Sequence, residues 1–166
     1  MPMSLGHDVT CALVDLLAGQ PGFRRPTVPG PDAAVVVFDG PEVWLTGEGA
    51  ARFVVVGDPG DSPEDDEDAV VGDALHTTLS LHRTRDETMT IPVRIVEQMG
   101  DPDVRAARAG AYATAAALSA AVRSDPSLGG LVLSAQWSST SLRQIMTKGA
   151  VAILTVTLTY RGRVSA

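Results

Sequence analysis

From Ala150 to Arg161 the side chains alternate with a period of two. Ala152, Leu154, Val156, Leu158 and Tyr160 fall on one face, and Thr155, Thr157, Thr159 and Arg161 fall on the other. This is the pattern of a long, half-buried β-strand, which needs a neighbour on each edge or a partner to supply one. ALHTTLSLH (74–82) alternates in the same way, with Leu75, Thr77, Leu79 and Leu81 opposite His76, Thr78, Ser80 and His82. TMTIPVRIVEQM (88–99) is its predicted partner strand, and TRDE (84–87) is predicted to turn the chain between them. Pro92 removes a ladder donor, which places that part of the strand at an edge or a bulge. AAVVVF (33–38) and RFVVV (52–56) are short Val-rich runs that read as strands. Between them DGPEVWLTGEG reads as a turn with a short extended piece at Val43–Leu45.

Two segments change to helical spacing. Ser4 can cap a first helix running to about Leu17, with Leu5, Val9, Leu13 and Leu16 or Leu17 on one face. The next stretch, GQPGFRRPTVPGPD, is a Pro- and Gly-rich connector. Gly100-Asp101-Pro102-Asp103 starts the second helix, with Asp101 as N-cap, Pro102 in the first turn and Asp103 favourable to the helix dipole. This helix is predicted to end near Ser124, before Asp125-Pro126. Val104, Ala111, Ala115, Leu118 and Val122 share one of its faces, and Arg105, Arg108 and Tyr112 share another. Its Ala-rich run makes it thin enough to lie close against a sheet. SLGGLVLSAQW (127–137) is a turn followed by a strand, which Ser138–Lys148 continues and then reverses. Helices separated by runs of strands predict an α+β fold, with a largely antiparallel sheet packed by an N-terminal helix and a central Ala-rich helix, in a single domain over 1–166.

Composition narrows the class. The chain has 166 residues, 45% of them hydrophobic but only 4% aromatic, so its core must be built from Ala, Val, Leu and Ile. No apolar run approaches the ~20 residues of a membrane helix. The N-terminus carries Asp8 and Asp15 and lacks a basic stretch, so no signal peptide is predicted. The single cysteine, Cys11, has no disulfide partner in the chain, and the expectation is a soluble protein made in a reducing cytoplasm. A net charge of −7 argues against a nucleic-acid reader. The charge is uneven: residues 1–83 hold 14 acids and 4 arginines, whereas residues 84–166 hold 6 acids and 9 bases. Such asymmetry follows from one acidic loop, and it also suits head-to-tail self-association. Eight acids lie between Asp58 and Asp73, a segment predicted to be a flexible, solvated loop. Its spacing lacks the order of an EF-hand, so calcium is not expected there.

Catalytic constellations are sparse. TGEGAAR (46–52) lacks the GK[ST] of a P-loop, and there is no GxSxG, HExxH or CxxC. His76 and His82 fall on one polar strand face ~20 Å apart, too far to share a metal. Cys11 reads as a small core residue on the flank of the first helix. The sequence therefore predicts a non-enzyme with no cofactor and no metal site.

The order TIPVRIVEQMGDPDVRAARAGAYATAAALSAAVRSDPSLGGLV, a polar strand, then LRQIMTKGAVAILTVTLTYRGRV resembles the tail terminator (tail completion) proteins of long-tailed bacteriophages. The match covers about residues 90–164, with Gly100-Asp101, Asp125-Pro126-Ser127-Leu128-Gly129-Gly130 and Gly149-Ala150 at corresponding places. The resemblance implies a virion protein at the head-proximal end of the tail, assembled in the host cytoplasm. It implies a ring, usually of six identical subunits, docked on the last ring of the tail tube. Such a ring stops tube polymerisation and offers a surface to neck (head-completion) proteins. Genome DNA passes through without specific binding, and no membrane is involved. The acidic stretch Glu64, Asp65, Asp66, Glu67 and Asp68 either lines that channel or hangs outside it as a solvated loop. Arg105, Arg108, Thr155, Thr157 and Thr159 are candidate subunit-interface positions. Two alternatives remain: another neck protein or the tube cap of a contractile injection system, and a small cytoplasmic enzyme or ligand-binding domain using the 74–87 hairpin.

Overall fold

A computed structural model describes residues 4–26, 34–40, 51–57, 74–78, 84–146 and 148–165. The described elements, in chain order, are α1 (Gly6–Ala18), β1 (Phe23–Arg24), β2 (Val35–Asp39), β3 (Ala51–Val56), β4 (Ala74–Thr78), β5 (Thr84–Met99), α2 (Val104–Ser124), β6 (Ser134–Met146) and β7 (Ala150–Ser165). The strands form one sheet in the order β1-β2-β3-β5-β7-β6, with β4 also pairing β5. β1–β2 and β2–β3 are parallel and every other pair is antiparallel. The fold is α+β with a largely antiparallel sheet, as its sequence pattern predicts.

The alternation in β7 is realised. Ala152, Leu154 and Leu158 are fully buried, and Val156 and Tyr160 nearly so. Both of its neighbours come from its own chain, because β7 lies between β5 and β6. A registered row, Val37–Val54–Ile95–Leu154, crosses four strands with no side chain more than 1% exposed. Each such aliphatic side chain contributes about 1.5–3 kcal/mol by leaving water. Both helices cover this face. α1 presents Val9, Leu13, Val14 and Leu17, and α2 presents Ala107, Ala111, Leu118, Ala121 and Val122. Small residues on α2 let it lie close above β5, β6 and β7.

Several boundaries differ from expectation. Residues 84–87 do not turn the chain; they begin β5, a strand of 16 residues. The polar pair Asp86-Glu87 is tolerated in a strand because distant side chains satisfy it. The α2 N-cap is Asp103 rather than Asp101, its side chain accepting from Ala106 N at 2.9 Å. The α1 N-cap position is Leu5, and Ser4 Oγ accepts from Gly6 N instead. Pro92 stands in a central strand, yet the missing donor is accommodated there. Its carbonyl accepts from Gly57 N, so its nitrogen faces the same side, between the pairs that β5 makes with β3 and those it makes with β4. The extended piece at Val43–Leu45, the acidic loop at 58–73 and the strand continuation at 79–82 lie outside the described residues. No described helix is long and apolar enough to cross a membrane.

Candidate assembly surface

The three sequence motifs meet the fold at its turns. Between β6 and β7, a Cβ at Gly149 would collide with the carbonyl oxygen of Met99, so only glycine lets this turn close against the end of β5. The next residue, Ala150, donates its N–H to Asp101 O at 3.2 Å. Gly100-Asp101 and Gly149-Ala150, about fifty residues apart in sequence, thus form a single corner. After α2, Leu128, Gly129 and Gly130 all take left-handed conformations, with φ of 50°, 72° and 86°. Asp125 holds this turn, accepting from Gly129 N at 2.7 Å and Ser127 Oγ at 2.8 Å. Those bonds hold its carboxyl below the usual 3.8, the Ser127 hydroxyl being the largest cause.

The candidate interface residues fall into two groups on opposite faces of the sheet. Arg105 and Arg108 are exposed on α2, above the helix-covered face. Arg108 Nη1 reaches Gln144 Oε1 of β6 at 3.5 Å, and Gln144 Nε2 reaches Val104 O at 3.4 Å. Thr155, Thr157 and Thr159 are half-buried on the face away from the helices. There they register with Arg94, Pro92 and Thr90 of β5 and with Ser141, Ser139 and Gln136 of β6. One docking patch therefore does not include both groups. The side chain of Glu64, Asp65, Asp66, Glu67 or Asp68 lies outside the described residues, as does that of His82.

Beside α2 a groove of about 290 Å³ opens toward β6. Leu154 and Val156 lie at its base, and Tyr112, Ala116, Trp137 and Thr140 are among its lining. Tyr112 is 47% exposed. Trp137 Nε1 is buried and finds no hydrogen-bond acceptor among the described residues. The sequence pattern did not single out this groove, although Tyr112 and Trp137 are two of only four Trp and Tyr residues in the chain.

Two buried acids were also missed. Glu87, fully buried, accepts at Oε1 from Tyr160 Oη at 2.5 Å, Ser4 Oγ at 3.0 Å and Leu5 N at 3.1 Å. It ties the start of α1 to β5 and β7. Burial, reinforced by this bond, pushes the Tyr160 phenol above its ordinary 10.0, which keeps it a donor. Glu97, 3% exposed, lies beneath α2 where a Cβ at Gly110 would stand 2.7 Å from its Cδ. Arg52 Nε donates to its Oε1 at 2.6 Å, while its Oε2 is buried without a partner among the described residues. Burial raises the Glu97 carboxyl above its ordinary 4.5, opposed by Arg52. The signal for both was phase: Glu87 and Glu97 share the even spacing of Met89, Ile91, Val93 and Ile95, at either end of the apolar row. On the opposite face Asp86 accepts from Arg161 Nη2 at 2.7 Å and Arg163 Nε at 3.1 Å. The Arg161 bond, then the Arg163 bond, lowers its carboxyl below 3.8.

Among the described residues no group of three or more His, Cys, Asp and Glu side chains is placed to hold a metal ion. Compared with models of known protein families the chain matches none, and a comparison with curated proteins finds no match.

Proposed function

We propose that this chain is a structural virion protein that forms a ring at the head-proximal end of a phage tail tube. There it ends tube polymerisation and presents a docking surface to neck proteins. The observation that carries the reading is the corner where Gly100-Asp101 meets Gly149-Ala150. Two motifs on which the resemblance to tail terminators rests, distant in sequence, meet at one place in this fold, and the third, Asp125 to Gly130, forms a left-handed turn at the end of α2. The work such a protein does is geometric: subunits joined head to tail close into a ring with two unlike faces. One face meets the tube and the other meets the neck, and the reading assigns the protein no catalytic step. DNA crossing such a ring is kept from sticking by negative charge, and the acids at 64–68 either line that channel or form a solvated loop outside it.

The test is the mass of the purified protein by light scattering, followed by negative-stain imaging with and without tube protein. Rings of about six subunits, or monomers that become rings on tube ends, are the expected result. A compact monomer or dimer indifferent to tube protein would overturn the proposal.

A further inference from the structure

Glu97 stands where the pleat of β5 calls for an apolar side chain. It follows Ile91, Val93 and Ile95 in the row that the helices cover, and only 3% of it is exposed. α2 is built around it. Gly110 is the one glycine in this Ala-rich helix of 21 residues, and glycine is the poorest helix former after proline. An alanine there would set its Cβ 2.7 Å from Glu97 Cδ and 2.8 Å from Oε1. The helix gives up its preferred residue at the place where it crosses this carboxyl.

The carboxyl has little to hold it in the charged state. Among the described residues Oε1 accepts from Arg52 Nε at 2.6 Å, and Oε2, also buried, has no donor. β3 faces it with Arg52, β7 with Ala152, and α2 with Gly110 between buried Ala107, Ala111 and Thr114. Of these only Arg52 is charged. Arg94, on β5 itself, belongs to the opposite face. Arg105, Arg108 and Arg123 are exposed on α2, Asp103 caps its start, and Asp101 is exposed at the corner before it. The Arg52 side chain is itself 44% exposed, so water shares its charge and screens the pair. Burial outweighs Arg52 and raises the carboxyl above 4.5. An anion with one empty acceptor and a half-solvated cation costs free energy beneath a helix that the neutral acid does not.

We infer that Glu97 is a proton-set latch on α2: as a neutral acid it seats the first half of the helix on the sheet, and as an anion it lets that half lift toward water. The turns that lift are those that carry Arg105 and Arg108, so the latch governs how firmly that face of α2 is held. The inference does not depend on the ring reading. A proton bound more tightly in the folded chain stabilises it below 4.5 and ceases to do so as pH rises through the raised folded value. Acid therefore closes the latch and base opens it.

The experiment follows amide hydrogen exchange of the full chain by mass spectrometry from about pH 4.5 to about pH 8, corrected for the intrinsic rate. Opening of the first half of α2 is read against that of β7. Expected in the wild type is an α2 opening that rises at least ~3-fold with pH, with no such rise in β7. Glu97→Gln, which cannot ionise, should keep the wild type's low-pH protection throughout. Arg52→Gln removes the one donor to the anion and should move the rise to higher pH. A carbon-13 titration of the Glu97 carboxyl in the wild type reads the latch directly and needs neither variant to fold. A pH-dependent opening that persists in Glu97→Gln would overturn the latch, as would a carboxyl that titrates at or below 4.5. Equal loss of protection in both variants at every pH would make the contact an ordinary ion pair and sink the inference as well.

Discussion

Replacing Tyr160 by Phe removes one oxygen and leaves the ring to fill the same buried space. The hydroxyl donates to Glu87 Oε1 at 2.5 Å and also lies 3.3 Å from Met89 Sδ. Tyr160 is 1% exposed and Glu87 0%, so water does not readily replace the lost donor. Oε1 keeps Ser4 Oγ and Leu5 N, so the carboxyl is weakened as an acceptor site rather than stripped. Losing one partner of a buried polar group costs about 1–3 kcal/mol, and with two donors retained the expected loss is about 2 kcal/mol. For a chain of this size that corresponds to a melting temperature lower by roughly 4–8 °C. Urea unfolding followed by circular dichroism measures it, with the slope unchanged if only stability has moved. Ser4→Ala removes a second donor to the same atom, so the double variant should depart from additivity by at least about 0.5 kcal/mol. A Tyr160→Phe loss below about 0.5 kcal/mol, the level of an ordinary surface change, would refute the view that this bond anchors α1 to the sheet.

Three further outcomes are expected. Leu154→Asp puts a carboxyl into the fully buried row beneath α2 and should prevent folding, at a cost of several kcal/mol. Thr157→Asp, on the half-buried opposite face, should leave the fold intact; soluble, folded Leu154→Asp protein would sink the packing assignment. Gly149→Ala should destabilise by about 3 kcal/mol or more because its Cβ would collide with backbone, the Met99 carbonyl first and the Gly100 carbonyl beside it, and an unchanged urea midpoint would count against the corner. Stability should respond to acid in two opposed ways. Asp86 and Asp125 have lowered folded values, so their contribution is present above 3.8 and lost as pH falls through the folded values. Glu97 has a raised folded value, so its contribution is full below 4.5 and lost as pH rises through the folded value. Glu97→Gln should abolish the second effect alone, which a pH series of urea midpoints will read.

The parts of the fold that the sequence discloses are those whose cause is local. β7 and α2 each repeat one period over many residues, and the buried face follows from that period whatever lies opposite. The start of β5 was hidden because its cause is remote. Asp86 and Glu87 look like turn residues until Arg161, Arg163, Tyr160 and Ser4 are beside them, and these lie 73–83 positions away. The cap of α2 shifted from Asp101 to Asp103 because both are good caps, and the Asp101 carbonyl is taken by Ala150 N of the corner. The candidate surface was half visible. Arg105, Arg108 and Tyr112 share a helix face by spacing alone, but the groove needs β6 beside α2, a pairing that no local pattern encodes. The threonines of β7 were grouped with those arginines only because both are polar, and the pleat sends them to the opposite face.

The two longest strands bear on what such a protein can transmit. β5 and β7, 16 residues each, pair in register from Thr84 with Ser165 to Met99 with Ala150. At ~3.3 Å per residue they run about 50 Å. One end of this ribbon is tied by Asp86 between Arg161 and Arg163, and by Glu87 under the start of α1. The other is closed by the corner of Gly149 against Met99. A ribbon fixed at both ends and covered by α2 resists bending, so a contact made at one end is felt as orientation at the other. That is the property the proposed ring needs to join two unlike surfaces.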